Sequence, residues 1–157
     1  MEQGDVEDAA SYVRKAYAQL SKHKDCGVLL VWIAEQSLQR GNKKEALIFY
    51  NNARSIGGNK PLVLNNVGWV FATHSDKDMR NGAVALQVAQ RANQLTQFKQ
   101  PSYLDTLAAA YAEVGDFPEA IRVARSALKL AKQQQNTPIV QGLEKALKLY
   151  KQGRPMR

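Results

Sequence analysis

Few side chains in this sequence have the types and spacings that catalysis or metal binding requires. The two histidines, His23 and His74, lie 51 residues apart, and the single cysteine, Cys26, is close only to His23. No group of these residues has the spacing of a zinc site. The segment Gly57-Gly58-Asn59 lacks the glycine and lysine spacing of a phosphate-binding loop.

One pair of acidic residues could in principle act as catalytic carboxylates. Asp105 and Glu113 could form an acid pair, but Ser102-x-x-Asp105 is also the pattern of a helix start, which we favour. No nucleophile with a base and no metal set accompanies them. We therefore predict a protein that is not an enzyme and that uses no metal and no cofactor.

Composition sets the broad class of the protein. Its 157 residues are enough for one domain with a buried core, and 45% hydrophobic with 23% charged residues is typical of a soluble globular chain. No apolar run reaches the roughly 18 residues of a membrane span. The acidic start, MEQGDVEDAA, is not a signal peptide. We predict no membrane span, and the compartment, cytoplasmic or periplasmic, depends on the parent chain.

A hexamer that occurs three times indicates how the chain is organised. It reads GDVEDA at 4–9, GNKKEA at 41–46 and GDFPEA at 115–120. Glycine ends a helix in a left-handed conformation, Asp or Asn caps the next helix, and the acid three residues later completes the cap. Each hexamer therefore predicts a tight turn between two helices, and their spacing predicts a repeat.

Three units of about 34 residues fit this repeat, starting at residues 27, 61 and 101. In the third unit, large, small and aromatic residues occupy positions 4, 7, 8, 11, 15, 20, 24 and 27: Leu104, Leu107, Ala108, Tyr111, Gly115, Ala120, Ala124 and Ala127. This spacing resembles the tetratricopeptide repeat (TPR) family, of bacterial type. The chain opens partway through a unit, so we predict the C-terminal part of a longer solenoid.

The resemblance implies an all-α fold, a right-handed superhelix of helix pairs. We predict one domain over 1–157, with a half-repeat at 1–23, repeats at 27–60, 61–100 and 101–134, and a capping helix at 137–153. Thr137 is the predicted cap of that last helix, and Ile139, Leu143, Leu147 and Tyr150 are its buried stripe. We expect the tail at 153–157 to fray, and we assign no role to the insertion Thr73–Arg80.

The resemblance also implies a non-catalytic scaffold that binds a protein or peptide in a concave groove formed by the first helix of each pair. The candidate groove residues are Trp32, Glu35, Asn65, Asn66, Trp69, Thr73, Asp105 and Glu113. Tryptophan is enriched in binding hot spots, and asparagine amides can hold a peptide backbone. Alternatively, the tryptophans pack against neighbouring repeats and the amides are solvated. No lysine or arginine occupies a groove position, which disfavours a clamp for a C-terminal carboxylate.

Two other kinds of binding remain open. Lys145, Lys148 and Lys151 form a basic face on the capping helix, which could meet an acidic protein, a membrane surface or nucleic acid, or could simply be solvated. Nucleic acid is disfavoured because only Tyr150 is present there for stacking. Self-association through the N-terminal half-repeat is the third possibility.

Overall fold

The computed structural model describes residues 26–157, so the predicted half-repeat at 1–23 lies outside it. This part of the chain forms seven α-helices, one 3₁₀ helix and no β-strand. The helices are α1 (Cys26–Gln39), α2 (Lys43–Ile56), α3 (Pro61–Thr73), the 3₁₀ helix η1 (Lys77–Met79), α4 (Gly82–Leu95), α5 (Pro101–Glu113), α6 (Phe117–Gln133) and α7 (Thr137–Lys151).

Neighbouring helices pack in pairs, which confirms the prediction of an all-α protein built from helix pairs. The most extensive contacts join α1 to α2, α3 to α4 and α5 to α6. The pairs then stack, with α5 against both α3 and α4, and α7 against α6. Contacts between the first pair and the second are less extensive. None of the helices described between residues 26 and 157 is long and apolar enough to cross a membrane.

The repeated hexamers at 41–46 and 115–120 form the predicted turns. Gly41 has φ of 78° and Gly115 has φ of 86°, both in the left-handed region that favours glycine. The Asn42 side chain accepts a hydrogen bond from the Glu45 amide at 3.3 Å. Asp116 accepts one from the Glu119 amide at 3.2 Å. Both caps satisfy an amide that the first helical turn leaves unpaired. The hexamer at 4–9 lies outside the described residues.

Two other predicted helix starts are wrong by a few residues. Ser102 and Asp105 do not begin a helix, because α5 already begins at Pro101 after Gln100, and Gln100 makes no side-chain cap. Proline can occupy a first turn because its missing amide hydrogen needs no partner there. At α7 the cap is Asn136, whose side chain accepts from the Ile139 amide at 3.3 Å, and not Thr137.

Small residues let the helices approach closely. Ala34, Ala108, Ala120 and Ala127 are fully buried. A Cβ at Gly68 in α3 would lie 3.1 Å from a methyl of Val88 in α4 and 3.2 Å from a methyl of Thr106 in α5. Three helices therefore meet where even a methyl group would crowd its neighbours, and this meeting point brings α3 and α5 side by side.

The insertion and the tail are both anchored to the helices. Met79 of η1 is buried, and the Arg80 guanidinium donates to the His74 carbonyl at 2.9 Å. We expected the tail to fray, but it is held by hydrogen bonds. The Arg154 amide donates to the Leu149 carbonyl, and Arg157 donates to the Ala72 carbonyl at 3.3 Å. The insertion and the tail therefore both lie against the C-terminal end of α3.

The capping helix α7 covers the last helix pair. Leu143, Leu147 and Tyr150 of the predicted stripe are buried, and Ile139 is half-buried. The helix ends at Lys151, two residues before the predicted boundary. Its apolar side is therefore the part that stabilises the stack.

The cap yields a stability prediction. Leu143 is 0% exposed, so Leu143→Ala should leave a cavity and lower the free energy of unfolding by about 2–5 kcal/mol. Urea unfolding followed by circular dichroism measures this change. The exposed neighbour Lys145 provides the control, since Lys145→Ala should alter stability by only about 0.5 kcal/mol. Equal stability of the Leu143 variant and the wild type would show that α7 does not support the fold.

Candidate binding groove

A recess of about 320 Å³ lies between α1, α3, α5 and α7. We call it the acidic recess. Its lining combines one residue of α1, several of α3 and α5 and one of α7: Glu35, Asn65, Asn66, Trp69, Val70, Ser102, Asp105, Thr106 and Ile139. Five of the eight predicted groove residues therefore lie together. Val70, Ser102, Thr106 and Ile139 complete the walls.

Asp105 is the residue of the recess with the most unusual environment. Its side chain is 7% exposed, and its Oδ1 accepts no hydrogen bond from any residue in the described part of the chain. Burial takes the carboxylate out of water, which disfavours its charged form and raises the pKa of Asp105 to about 6. The recess therefore contains a carboxyl oxygen, Asp105 Oδ1, to which no residue between 26 and 157 donates.

Asn65 adds a second acceptor of the same kind. Its Oδ1 is buried and accepts no hydrogen bond within residues 26–157, although its Nδ2 lies 3.5 Å from Asn66 Oδ1. A buried acceptor without a donor costs about 1–3 kcal/mol. Asn65 Oδ1 and Asp105 Oδ1 thus give the recess two buried acceptors that receive no hydrogen bond from residues 26–157.

The two tryptophans have different environments. Trp69 is half-buried and packs against the core while it lines the acidic recess. Trp32 is 55% exposed, and two other apolar side chains, Val28 of α1 and Leu62 of α3, are 41% and 49% exposed. Thus Trp69 is partly a packing residue, whereas Trp32 offers most of its ring to solvent.

Thr73 and Glu113 are not available in the way that the pattern suggested. Thr73 is 9% exposed, and its hydroxyl donates to the Trp69 carbonyl of its own helix at 2.8 Å. Glu113 already has cationic partners, because Arg80 Nε donates to its Oε1 at 3.0 Å and Arg157 Nη1 lies 2.7 Å from its Oε2. The second contact is an ion pair without hydrogen-bond geometry. Glu113 Oε2 therefore has a charged partner but accepts no hydrogen bond from the described residues.

Sequence reasoning missed Arg80 and Arg157 as the partners of Glu113. Neither occupies a groove position of a repeat, since one lies in the insertion and the other in the tail. Only the tertiary fold brings both to the C-terminal end of α5. No sequence signal that we can identify would have found them.

The predicted basic face is solvated and separate from the recess. Lys145, Lys148 and Lys151 are all exposed on α7, and none lines the acidic recess. An exposed ion pair of 3.2 Å joins Lys132 Nζ of α6 to Glu144 Oε1 of α7. The two candidate surfaces can therefore be changed independently.

Other parts of the described chain offer less. No group of three or more His, Cys, Asp or Glu side chains between residues 26 and 157 could hold a metal ion. His74 is part of a turn, where its Nδ1 accepts from the Asp76 amide at 3.0 Å. A wider groove of about 750 Å³ between α4, α5 and α6 is lined by residues such as Gln90, Tyr111 and Lys129. Within the described chain, none of the residues that line it has a buried polar atom without a partner.

Comparison with known proteins adds no relative to this picture. No family model, no curated protein and no solved structure matches the chain. The geometry of the groove is therefore the basis of the functional argument.

The buried carboxylate leads to a prediction about stability and pH. The pKa of Asp105 is raised from 3.8 to about 6 in the folded chain, so the folded state holds this proton more tightly than the unfolded state. The stabilising contribution is complete below pH 3.8 and is lost as the pH rises through 6. Asp105→Asn should therefore stabilise the protein more at pH 7.5 than at pH 4, by on the order of 2–3 kcal/mol.

Urea unfolding of the wild type and the variant at both pH values measures this difference. Asp78→Asn serves as the matched control, because Asp78 is exposed, and its effect should be the same at both pH values. A difference for Asp105→Asn that does not change with pH would mean that the carboxylate is not desolvated.

Proposed function

We propose that this chain is a TPR-type domain that acts as a non-catalytic scaffold and binds an extended segment of a partner protein in its concave groove. The single observation that carries the proposal is the acidic recess. There two buried acceptors, Asp105 Oδ1 and Asn65 Oδ1, have no donor from the described chain. A bound segment would supply the missing donors from its backbone or side chains.

The energetics support a binding surface in preference to a purely structural one. A folded protein satisfies nearly all of its buried polar groups, so two unsatisfied acceptors in one recess are costly. Replacing both with apolar residues would remove that cost, so the two acceptors lower the stability of the fold as they stand. A ligand that donates to both would recover the lost free energy as affinity.

Aromatic surface beside the acceptors also supports the proposal. Trp69 lines the recess, and Trp32 presents an exposed ring on the first helix of the preceding pair. Tryptophans at the centre of a contact surface contribute large apolar area with little loss of side-chain entropy. The groove thus offers tryptophan rings that apolar side chains of a bound segment could contact, beside acceptors for its hydrogen-bond donors.

Two alternatives make different demands. Binding through the basic face would depend on Lys145, Lys148 and Lys151, and it would weaken steeply between low and moderate salt. Self-association through the N-terminal region would make the apparent mass depend on concentration. Val28, Leu29 and Trp32 of α1 are exposed apolar residues that such an interface could use.

A random dodecapeptide library displayed on phage provides the test. The library is selected on the immobilised 157-residue chain, and the enriched peptides are synthesised and titrated by calorimetry. We expect Trp69→Ala to weaken binding by about 1–4 kcal/mol, the range for an aromatic anchor. Reversing the charge of Lys145, Lys148 and Lys151 should change the affinity by far less.

Because Trp69 also packs against the core, thermal melts of the variant must show that it is folded at the assay temperature. Asn66→Ala provides a second groove variant with a smaller packing change. Failure to enrich any peptide would count against the proposal. So would peptides that tolerate both groove changes and are lost only when the basic face is reversed.

A further inference from the structure

We infer that the acidic recess is a subsite for a cationic side chain, a lysine or an arginine, of the segment that binds in the groove. The inference rests on the proposed function and adds the chemical class of the ligand to it. It names a feature that the bound segment must carry: a positive charge placed against Asp105.

The charges of the recess are the first argument. Two carboxylates, Glu35 and Asp105, line it, and no lysine or arginine between residues 26 and 157 does. This is unusual in a chain whose formal net charge is +8. A cationic ligand would therefore be attracted into the recess and repelled by most of the remaining surface.

The donors of a cationic side chain also match the acceptors of the recess. An ammonium group has three donors and a guanidinium group has five, and neither has an acceptor. Asp105 Oδ1 and Asn65 Oδ1 are both buried acceptors without a described donor. The half-buried Trp69 lines the same recess, and an indole ring favours a cation placed over its face.

The protein already binds an arginine at the other end of α5 in the way that we propose for the recess. Arg157 of the tail lies 2.7 Å from Glu113 Oε2 and donates to the Ala72 carbonyl at 3.3 Å. Glu113 follows Asp105 by eight residues, or about 12 Å along the helix axis. Arg80 and Arg157 neutralise the Glu113 end, whereas the described residues that line the acidic recess include no basic side chain.

The protonation of Asp105 offers an independent readout. Its pKa is raised to about 6 by burial, so the carboxylate is largely charged at pH 7.5 and largely neutral at pH 5. Two other titratable groups of the described chain lie near it on packed helices. Glu35 of α1 lines the recess, and Tyr150 of α7 has its pKa raised by burial and by Asp105, so it stays neutral at both pH values.

The experiment uses the peptides enriched from the random dodecapeptide library on the full chain. We expect them to share a lysine or an arginine at one position. Replacing that residue with norleucine or citrulline, respectively, should weaken binding about 30-fold or more, because it leaves the buried carboxylate without its charge partner. Asp105→Asn should cause a similar loss, and combining both changes should cost little more than either alone.

Matched variants separate the recess from general electrostatics. Glu144→Gln removes an exposed carboxylate of α7 and should leave the affinity unchanged. In the wild type and in Glu35→Gln, the affinity should fall between pH 7.5 and pH 5, and in Asp105→Asn it should not. Thermal melts at both pH values confirm that each variant is folded during the titration.

The possible outcomes distinguish this inference from the proposed function. Peptides that need Trp69 and Asn66 but carry no common cation would overturn the cationic subsite and leave groove binding intact. Losses from the peptide and from Asp105→Asn that simply add would do the same, because they would show that the two groups do not meet. If no enriched peptide depends on the groove, both proposals fail.

Discussion

Close approach of helices at small residues is the constraint on which the remaining structure depends. At Gly68 a Cβ would come within 3.2 Å of side chains from two other helices. Fully buried alanines such as Ala108 and Ala120 serve the same purpose in the last pair. Because a helix pair cannot bury its apolar side alone, these approaches must repeat from one pair to the next. The stack places α3 and α5 side by side and so creates the groove between them.

The same packing explains why the acidic recess is costly to the fold. Asp105 lies on α5 among residues that are nearly all buried, from Leu104 to Ala110. A carboxylate at this place loses its water without gaining a donor from the described protein. Protonation relieves part of the cost, which is why its pKa is raised. A charged or donor-bearing ligand could relieve it at neutral pH, and this links the stability of the domain to its binding.

Charge at the other end of the groove is balanced by parts of the chain that lie outside the repeats. Arg80 comes from the insertion and Arg157 from the tail, and both meet Glu113. Exposed ion pairs are worth about 1 kcal/mol or less, and pairs of limited exposure interact more strongly but also lose more hydration. These arginines neutralise Glu113 at one end of α5. At the other end, no basic side chain from the described residues lines the recess beside Asp105. The exposed lysines of α7 do not line the recess.

The sequence by itself determined the class of fold, the helix pairs and most of the turns. Gly41, Asn42 and Glu45 are neighbours in the chain, so local rules of capping and left-handed glycine were sufficient to place that turn. Periodicity likewise placed the buried stripe of the capping helix. The resemblance to the TPR family, and not the pattern alone, put Glu35, Asn65, Asn66, Trp69 and Asp105 in one predicted groove, and these five residues line one recess. The half-repeat and the TPR assignment remain predictions.

Only the tertiary structure decided which of these side chains are exposed, paired or left without a donor. The Thr73 hydroxyl donates to the backbone of its own helix, and Glu113 forms ion pairs with two arginines that lie far from it in the chain. The start of α5 was misplaced for a related reason, because Pro101 can begin a helix without the side-chain cap that the Ser102 pattern suggested. Burial and long-range charge pairing depend on helices that meet only after stacking. A local pattern therefore cannot specify them, and the acidic recess became visible only when four helices were in place.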